Sequence, residues 1–325
     1  MPNRIVRNTA ILAKAEGTYA VDAAPTGGAN AMLVSNLTIN PINAQNVSRD
    51  LIRAYLGGSE QLVGTRYVEC SFDIEMAGSG TNAVAPAWAP LLLACGMAEV
   101  VTAVTRVDYV PVSTAFGSIT IYWYDDGVLH KALGCRGNFM VDMAVGKRPV
   151  MSFKFTGIYA TPTAVSNPST TLTAFKTPMV VTDSNTGDLT VGGTHAIATA
   201  PAIVGGTAYP SQGLTLDMGN SVNFTALLGG ETVDLTQRAV TGKIVLDLSA
   251  AQEVSFMASV EAATLMTIGV IHGTVANQKV MVWMPGVQLY NPSKQDVNGK
   301  RMIGFDLAIT PVAGNDEVRI VTSFA

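Results

Sequence analysis

Charged side chains are scarce in this sequence. Asp, Glu, Lys and Arg make up 14% of its 325 residues, against roughly 25% in an ordinary soluble protein, while hydrophobic residues reach 48%. Because a monomer needs charged surface to stay apart from its neighbours, we expect much of this surface to meet other subunits. A secreted β-protein with a Thr, Ser and Gly surface is the alternative. The net charge of −4 argues against binding nucleic acid through its phosphates, but it is compatible with a channel that nucleic acid crosses.

Residue types that carry catalysis or bind metals are also few. The three cysteines, Cys70, Cys95 and Cys135, lack metal-ligand spacing, so we expect reduced, buried thiols in a cytosolic fold. None of the three histidines has a second ligand at helical spacing. No nucleophile motif, phosphate loop or convergent acid and base is recognisable. The sequence therefore predicts no catalytic residue, no cofactor, no metal and no enzymatic activity.

Long hydrophobic runs are absent as well. The most apolar run, residues 88–97, contains Pro90 and is about half the ~20 residues that a membrane span needs. The first residues contain no apolar stretch of signal-peptide length. We therefore expect neither a membrane segment nor export by a signal peptide.

Period-two alternation dominates what the sequence does contain. Between residues 67 and 76, apolar side chains alternate with polar and acidic ones, which predicts a strand with one buried face and one wet, acidic face. The same alternation returns at residues 150–156, 243–249 and 303–309. The chain is therefore predicted to be mainly β.

Further strands and two short helices are expected between these segments. Asp125 and Asp126 before Gly127 indicate a hairpin turn. Helices are predicted at residues 87–96 and 255–266, the second from apolar residues near helical spacing. The additional strands are predicted at residues 118–124, 138–143, 278–284 and 287–290.

One segment of the sequence occurs twice. The stretch GKRPVMSFKFTG beginning at Gly146 returns as GKRMIGFDLAIT beginning at Gly299, 153 residues later, and residues 36–40 resemble residues 213–217. Since each half also has strands, a helix and more strands in the same order, we expect one structural unit to be present twice. The predicted divisions are an N-terminal arm at 1–35, a first domain at 36–160, a Thr/Ser/Gly-rich linker or small insertion at 161–210, and a second domain at 211–325.

The polar faces of the predicted strands carry an acidic surplus. Their charged residues are Glu69, Asp73, Glu75, Asp247 and Asp306 on the acidic side, with Lys154 and Lys243 on the basic side. An ordinary solvated sheet face would explain this pattern. The functional interpretation is that these side chains line the inside of a ring.

Several short motifs in the first half match one family of structural proteins. They are Glu16-Gly17-Thr18-Tyr19, Asp22-Ala23-Ala24-Pro25-Thr26-Gly27, Gly64-Thr65-Arg66, Pro86-Ala87-Trp88, Leu91-Leu92-Leu93-Ala94-Cys95-Gly96, Tyr109-Val110-Pro111 and Gly134-Cys135-Arg136-Gly137. In these motifs the chain resembles the tail tube proteins of long-tailed bacteriophages over residues 10–160, and over the second half through the repeat.

The resemblance implies a fold and an assembly. The expected fold is two tandem tail-tube domains, each a β-sandwich or half-barrel of antiparallel strands with one short helix, that join into a ring-shaped β-barrel on oligomerisation. Since such rings contain six tube domains, two domains per chain predict a homotrimer with pseudo-six-fold symmetry, a homohexamer being the alternative. The implied tail is non-contractile and siphovirus-like, and double-stranded DNA passes through it without specific binding.

The resemblance also implies partners and a location. The partners are other copies of the chain and other tail proteins, namely the tape measure, terminator and distal tail proteins. The protein would reside in the virion tail after synthesis in the cytoplasm of a bacterial host. The arm and a loop at residues 40–64 are expected to order when rings stack. We predict inter-ring contacts at Arg49, Asp50, Arg53 and Glu60, although a solvated loop explains these residues equally well.

Two other functions fit the composition. One is a different phage or tailocin β-barrel ring component, such as a terminator or baseplate protein. The other is a carbohydrate-binding or adhesive β-sandwich, which should expose aromatic clusters. Trp88, Trp123 and Trp283 instead lie in apolar or alternating segments, where we expect them to be buried.

Overall fold

The computed structural model describes residues 3–196 and 200–325. It is mainly β, with 54% strand and 7% helix, as the alternation predicts. The helices are α1 (Gly27–Asn30), α2 (Ala89–Leu93) and α3 (Ala250–Glu261). The strands of the described residues are β1 (Thr9–Ala15), β2 (Ala31–Met32), β3 (Ser35–Ser48), β4 (Gln61–Glu75), β5 (Met97–Thr102), β6 (Arg106–Pro111), β7 (Ile119–Asp125), β8 (Val128–Ala144), β9 (Val150–Ala164), β10 (Leu189–Val191), β11 (Thr194–Ala196), β12 (Ala202–Val204), β13 (Thr207–Tyr209), β14 (Ser211–Asp217), β15 (Asn220–Leu227), β16 (Gly230–Arg238), β17 (Thr241–Leu246), β18 (Leu265–His272), β19 (Val280–Val297), β20 (Lys300–Ile309) and β21 (Arg319–Thr322).

Two groups of four antiparallel strands share one order of pairing. In the first four-strand unit β3 pairs with β4, β4 with β9 and β9 with β8. In the second unit β14 pairs with β17, β17 with β20 and β20 with β19. In both, the last two strands of that order form a hairpin, β8–β9 and β19–β20, and a helix lies between the second and third strands in the chain.

The two units are joined edge to edge by β8 and β14, a contact that we call the seam. Residues 140–144 of β8 run antiparallel to residues 213–217 of β14, with Asp142 opposite Thr215. Because both strands also pair within their own units, eight strands form one continuous sheet in the order β3, β4, β9, β8, β14, β17, β20, β19.

Apolar side chains pack together on one face of the seam. Met143 lies opposite Leu214 and Val141 lies opposite Leu216, and all four are buried. Burial of these side chains adds hydrophobic stabilisation to the ladder of backbone hydrogen bonds. The seam is therefore part of the folded core.

Two further strands extend each unit in the same way. In the first unit β7 pairs with the N-terminal part of β8, and β1 pairs with β7. In the second unit β18 pairs with the N-terminal part of β19, and β10 pairs with β18. Ile11 and Ile121 of this outer layer belong to the same continuous core as Phe72, Phe153 and Phe305 of the two units.

The repeated GKR segment forms a turn in both units. Gly146 and Gly299 have φ angles of 82°, which only glycine adopts at little cost, and each turn closes a hairpin. Pro149 is an additional residue in the first copy, so after the turn the equivalent residues are 152 apart. Lys154 and Asp306 therefore occupy equivalent positions, each in the centre of its strand.

Some predicted boundaries were wrong. The strands predicted at 278–284 and 287–290 are one long strand, β19, and the helix predicted at 87–96 is limited to α2. The helix predicted at 255–266 begins earlier, at Ala250, because Ser249 and Gln252 form a capping box that starts the helix there. Residues 265 and 266 already belong to β18.

Other segments also differ from the sequence-based expectation. The expected loop at 40–64 is mostly strand, because β3 extends to Ser48 and β4 begins at Gln61, which limits the loop to residues 49–60. Within the expected arm, β1 is part of the sheet and Leu12 is fully buried. The predicted hairpin turn at residues 126–127 is confirmed, since it joins β7 to β8, and all three tryptophans are buried as predicted.

Because one core includes both units, we expect the chain to unfold in one cooperative transition. Phe153→Ala and Phe305→Ala remove equivalent buried rings, and each should cost about 3–5 kcal/mol. In urea unfolding followed by fluorescence and circular dichroism, both variants should shift the same transition. Two transitions, each sensitive to one variant only, would instead show that the units fold independently.

Candidate functional site

One face of the eight-strand sheet is polar. Residues directly opposite each other in antiparallel strands point to the same face, and in the first unit Asp73 of β4 lies opposite Ser152 of β9, and Ser71 opposite Lys154. The same register pairs Glu69 and Glu75 with β9, so the four predicted lining residues of this unit share a face. The opposite face of β4 carries the buried side chains of Val68, Cys70, Phe72 and Ile74.

The seam continues this polar face from the first unit into the second. Lys243 of β17 lies directly opposite Asp306 of β20, as expected if both line one surface. A single row of directly opposed residues then crosses seven strands from β4 to β19. Its members are Glu75, Val150, Asp142, Thr215, Lys243, Asp306 and Tyr290.

Lysines on this polar face lie close to carboxylates. Lys154 Nζ is 3.9 Å from Glu69 Oε1, and Lys243 Nζ is 3.2 Å from Asp306 Oδ1. The two lysine side chains are 68% and 74% exposed, whereas the two carboxylates are 27% exposed. The ammonium groups therefore project further into solvent than the acids beneath them.

The GKR turns supply further cations. The sequence-based prediction omitted them because it considered only residues within the strands. Arg148 Nη1 is 2.7 Å from Glu75 Oε1, and Lys300 bonds to Asp247, which directly follows β17. Glu75 is the last residue of β4 and Asp247 holds the equivalent position directly after β17, so the repeated turn binds an equivalent acid in each unit. The excess of acidic over basic side chains on the polar face is therefore smaller in the structure than the strand sequences predict. The sequence did contain a signal for these cations, because each turn directly precedes the strand that pairs with the acidic strand.

Asp73 differs from the other predicted acids. Across residues 3–196 and 200–325 it has no cation within salt-bridge distance, and its Oδ2 accepts a hydrogen bond from Asn36 Nδ2 at 2.6 Å. It therefore keeps most of its charge available on the polar face.

Asp306 is held in its ionised form by two neighbours. Asn291 Nδ2 donates to its Oδ2 at 3.1 Å, and Lys243 faces its other oxygen. The hydrogen bond from Asn291 and then the Lys243 ammonium lower the pKa of Asp306 below its ordinary value. The centre of the second unit thus stays charged at neutral pH.

Polar side chains make contacts on the other face of the seam, and none of these contacts was predicted from the sequence. Asn138 Nδ2 donates to Asp217 Oδ1 at 2.7 Å, diagonally across β8 and β14, since Asp217 lies opposite Met140. Arg136 Nη1 donates to the carbonyl of Val233 at 2.8 Å, and its guanidinium lies over the ring of Tyr19. These contacts dock the hairpin β15–β16, which lies between β14 and β17 in the chain, against the first unit. Sequence alone gave no signal, because the partners lie about 80–100 residues apart.

The four predicted inter-ring residues lie together in or beside the loop at residues 49–60. Arg53 Nη2 is 3.1 Å from Glu60 Oε2, Arg49 bonds to the same carboxylate, and Ser48 Oγ donates to Asp50. The polar residues thus hold the loop closed within the chain. Beside them lies an apolar set that the prediction omitted, the exposed Leu51, Ile52, Tyr55 and Leu56.

Both ends of the eight-strand sheet are free. Within the described part of the chain, β3 pairs only with β4, and β19 beyond Tyr290 pairs only with β20. Such edges expose unpaired backbone N–H and C=O groups that can pair with another chain. They are therefore the candidate assembly surfaces.

The described residues hold no group of three or more His, Cys, Asp or Glu side chains arranged for a metal. In the same residues, no helix has both the length and the apolar character that crossing a membrane requires. The three cysteines are free and buried, as predicted.

A family model described as phage tail tube protein matches residues 7–324. No curated protein matches the chain.

The lowered pKa of Asp306 predicts a pH-dependent contribution to stability. A carboxylate with a lowered folded pKa stabilises the fold above its unfolded pKa and loses that contribution as pH falls through the folded value. Asn291→Gly removes the hydrogen bond and suits the φ of 47° at this position. We expect the variant to be less stable at neutral pH, by at most the about 0–1 kcal/mol typical of exposed polar pairs, with the difference shrinking in acid. Urea unfolding at a series of pH values measures this.

Asn298→Gly is the matched control for this experiment. Asn298 also has a positive φ, of 54°, but it lies in the β19–β20 turn. Its substitution should change stability equally at every pH. A pH-independent difference for Asn291→Gly would mean that the amide does not act through Asp306.

Proposed function

The chain belongs to the phage tail tube protein family, and we propose that three copies close into a ring whose stacked repeats form the tube. The family is structural and non-enzymatic, and it implies self-polymerisation and a place in the virion tail. The observation that carries the proposal is the eight-strand sheet, which repeats a four-strand unit, has one polar face and is free at both ends.

Ring closure follows from the free ends. A sheet with two open edges can satisfy them by pairing with matching edges of other copies, and a closed barrel leaves no edge. If each four-strand unit occupies one sixth of the ring, the two units of a chain occupy two adjacent places and three chains close it. We infer from this that the units are tandem tube domains that arose by duplication.

The geometry of such a ring gives the width of the channel. Three copies supply about 24 strands, which at ~4.8 Å spacing and ~40° tilt make a barrel roughly 48 Å across at the backbone. Side chains then leave an opening of roughly 35–40 Å, which admits a DNA duplex. The polar face is the side available to line it, because the opposite face is buried in the core.

The proposed lining is weakly acidic. Its carboxylates are Glu69, Asp73, Glu75, Asp247 and Asp306, and most are paired with Lys154, Lys243 or the turn cations. A wall of paired charges with a small acidic excess offers DNA phosphates few free cations to bind, so double-stranded DNA can slide without specific or salt-sensitive attachment.

Stacking of rings is assigned to the loop at residues 49–60. Arg49 and Arg53 pair with Glu60, Asp50 bonds to Ser48, and the exposed apolar Leu51, Ile52, Tyr55 and Leu56 lie among these residues in the same loop. Exposed apolar residues gathered in this way are typical of a protein contact. We propose that this tip bridges one ring to the next.

The resemblance extends the proposal to the whole tail. We infer a non-contractile, siphovirus-like tail in which the tube contacts tape measure, terminator and distal tail proteins. The subunits would be made in the cytoplasm of the bacterial host and assembled there.

Electron microscopy of the purified protein tests the ring. Stacked rings with a hollow core, and a reconstruction containing three chains and six similar units per ring, are expected. Six identical chains in each ring would reject the tandem arrangement. A protein that stays dispersed under all assembly conditions would reject the tube itself.

The channel face is tested by Asp73→Lys, which reverses the one carboxylate of the set that has no cation partner among the residues that the structure describes. Tubes should still assemble, because Asp73 lies outside the core and the seam, but the added cation should slow DNA ejection by attracting phosphate. Asp183→Lys makes the same charge change on an exposed loop before β10 and should leave ejection unchanged. Normal ejection from phage carrying Asp73→Lys would remove the support for this lining.

A further inference from the structure

The seam inside the chain is a structural template for a contact between chains. It joins the last strand of the first unit, β8, to the first strand of the second unit, β14. The free edges of the sheet belong to the equivalent strands, since β19 is the last strand of the second unit and β3 is the first strand of the first unit. The same join can therefore be made between two copies.

Registers within the sheet define which residues of β3 and β14 are equivalent. Lys154 and Asp306 are equivalent, and they lie opposite Ser71 and Lys243. These in turn lie opposite Thr38 of β3 and Thr215 of β14. Thr38 is thus the counterpart of Thr215, which agrees with the sequence similarity of residues 36–40 and 213–217.

The other partner is defined by the hairpins. Val141 of β8 lies opposite Met151 of β9, and Lys294 of β19 lies opposite Ile303 of β20. Since Met151 and Ile303 are equivalent residues after the GKR turns, Lys294 is the counterpart of Val141. One residue further along, Gln295 is the counterpart of Asp142.

We propose that residues 293–297 of β19 pair in antiparallel with residues 36–40 of β3 in a second copy of this chain. This pairing rests on the proposed ring and specifies how neighbouring chains meet in it. We call the contact between β19 of one copy and β3 of the next the joint. Applying the register of the seam, Asp142 opposite Thr215, places Gln295 opposite Thr38. The full set of opposed residues is Ser293 with Asn40, Lys294 with Ile39, Gln295 with Thr38, Asp296 with Leu37 and Val297 with Asn36.

The joint between copies is more polar than the seam it repeats. Where the seam packs Val141 on Leu216 and Met143 on Leu214, the joint brings Lys294 to Ile39 and Asp296 to Leu37. Lys294 is itself held by Glu253 of α3, with Nζ 3.1 Å from Oε1. Charges at a free sheet edge discourage unspecific pairing of isolated chains. The joint is therefore weaker than the seam and selective for the matching edge.

Disulfide trapping tests the register. Thr38 and Gln295 are both exposed in the single chain, so Thr38→Cys with Gln295→Cys should leave the fold intact and place two thiols opposite each other between copies, within disulfide distance. Oxidation of assembled tubes with copper phenanthroline and oxygen should convert most of the protein into a covalent trimer on a non-reducing gel. The three native thiols should not form disulfides under these conditions, because they are buried and burial raises their pKa values, that of Cys70 to about 12.

A one-residue shift supplies the matched control. In Thr38→Cys with Lys294→Cys the side chains point to opposite faces of the joint, and cross-linking should fall at least tenfold. Tubes of the first variant that form without cross-links, or equal cross-linking of both variants, would overturn the pairing while leaving the tube in place. Failure of the parent chain to form rings would overturn pairing and ring together. A covalent hexamer as the largest product would support the pairing but reject three chains per ring.

Discussion

Backbone pairing between β8 and β14 is the constraint on which the rest of the structure depends. Without it, the chain would contain two four-strand sheets with four open edges. With it, two of these edges are satisfied inside the chain and the polar sides of both units become one surface. The seam combines buried aliphatic pairs on one side with Asn138 and Asp217 on the other, so a register shift would lose both apolar packing and polar bonds.

The charges of the polar face depend on that continuity. Each GKR turn places a cation beside the acid that ends the neighbouring strand, in both units. Lys154 with Glu69 and Lys243 with Asp306 add acid–cation pairs between neighbouring strands, and such pairing keeps the carboxylates compatible with the fold. Individually such exposed pairs contribute little, and their main effect here is on the electrostatic potential of the surface.

Much of the fold follows from local sequence, because alternation directly encodes which face of a strand is buried. The strands around Phe72, Phe153 and Phe305 were predictable for this reason, as were the hairpin turn at Gly127 and the shared face of Glu69 and Lys154. The start of α3 was missed because its signal is a capping box at Ser249, not an apolar repeat. The loop at residues 49–60 was predicted too long because β3 and β4 form a hairpin that is exposed on both faces near its tip, where alternation disappears. The seam and the contacts of Arg136 are non-local, so no sequence period reports them.

A joint made within one chain has a further consequence for how large a ring can be. Partners held on one chain meet at a high effective concentration, without the loss of translational freedom that two separate molecules suffer. Half of the joints in the proposed ring are therefore complete before any subunits meet. Since every chain adds two units at once, closed rings with five or seven units cannot be built. Covalent linkage thus restricts the assembly to even numbers, and it excludes the two sizes closest to the correct one.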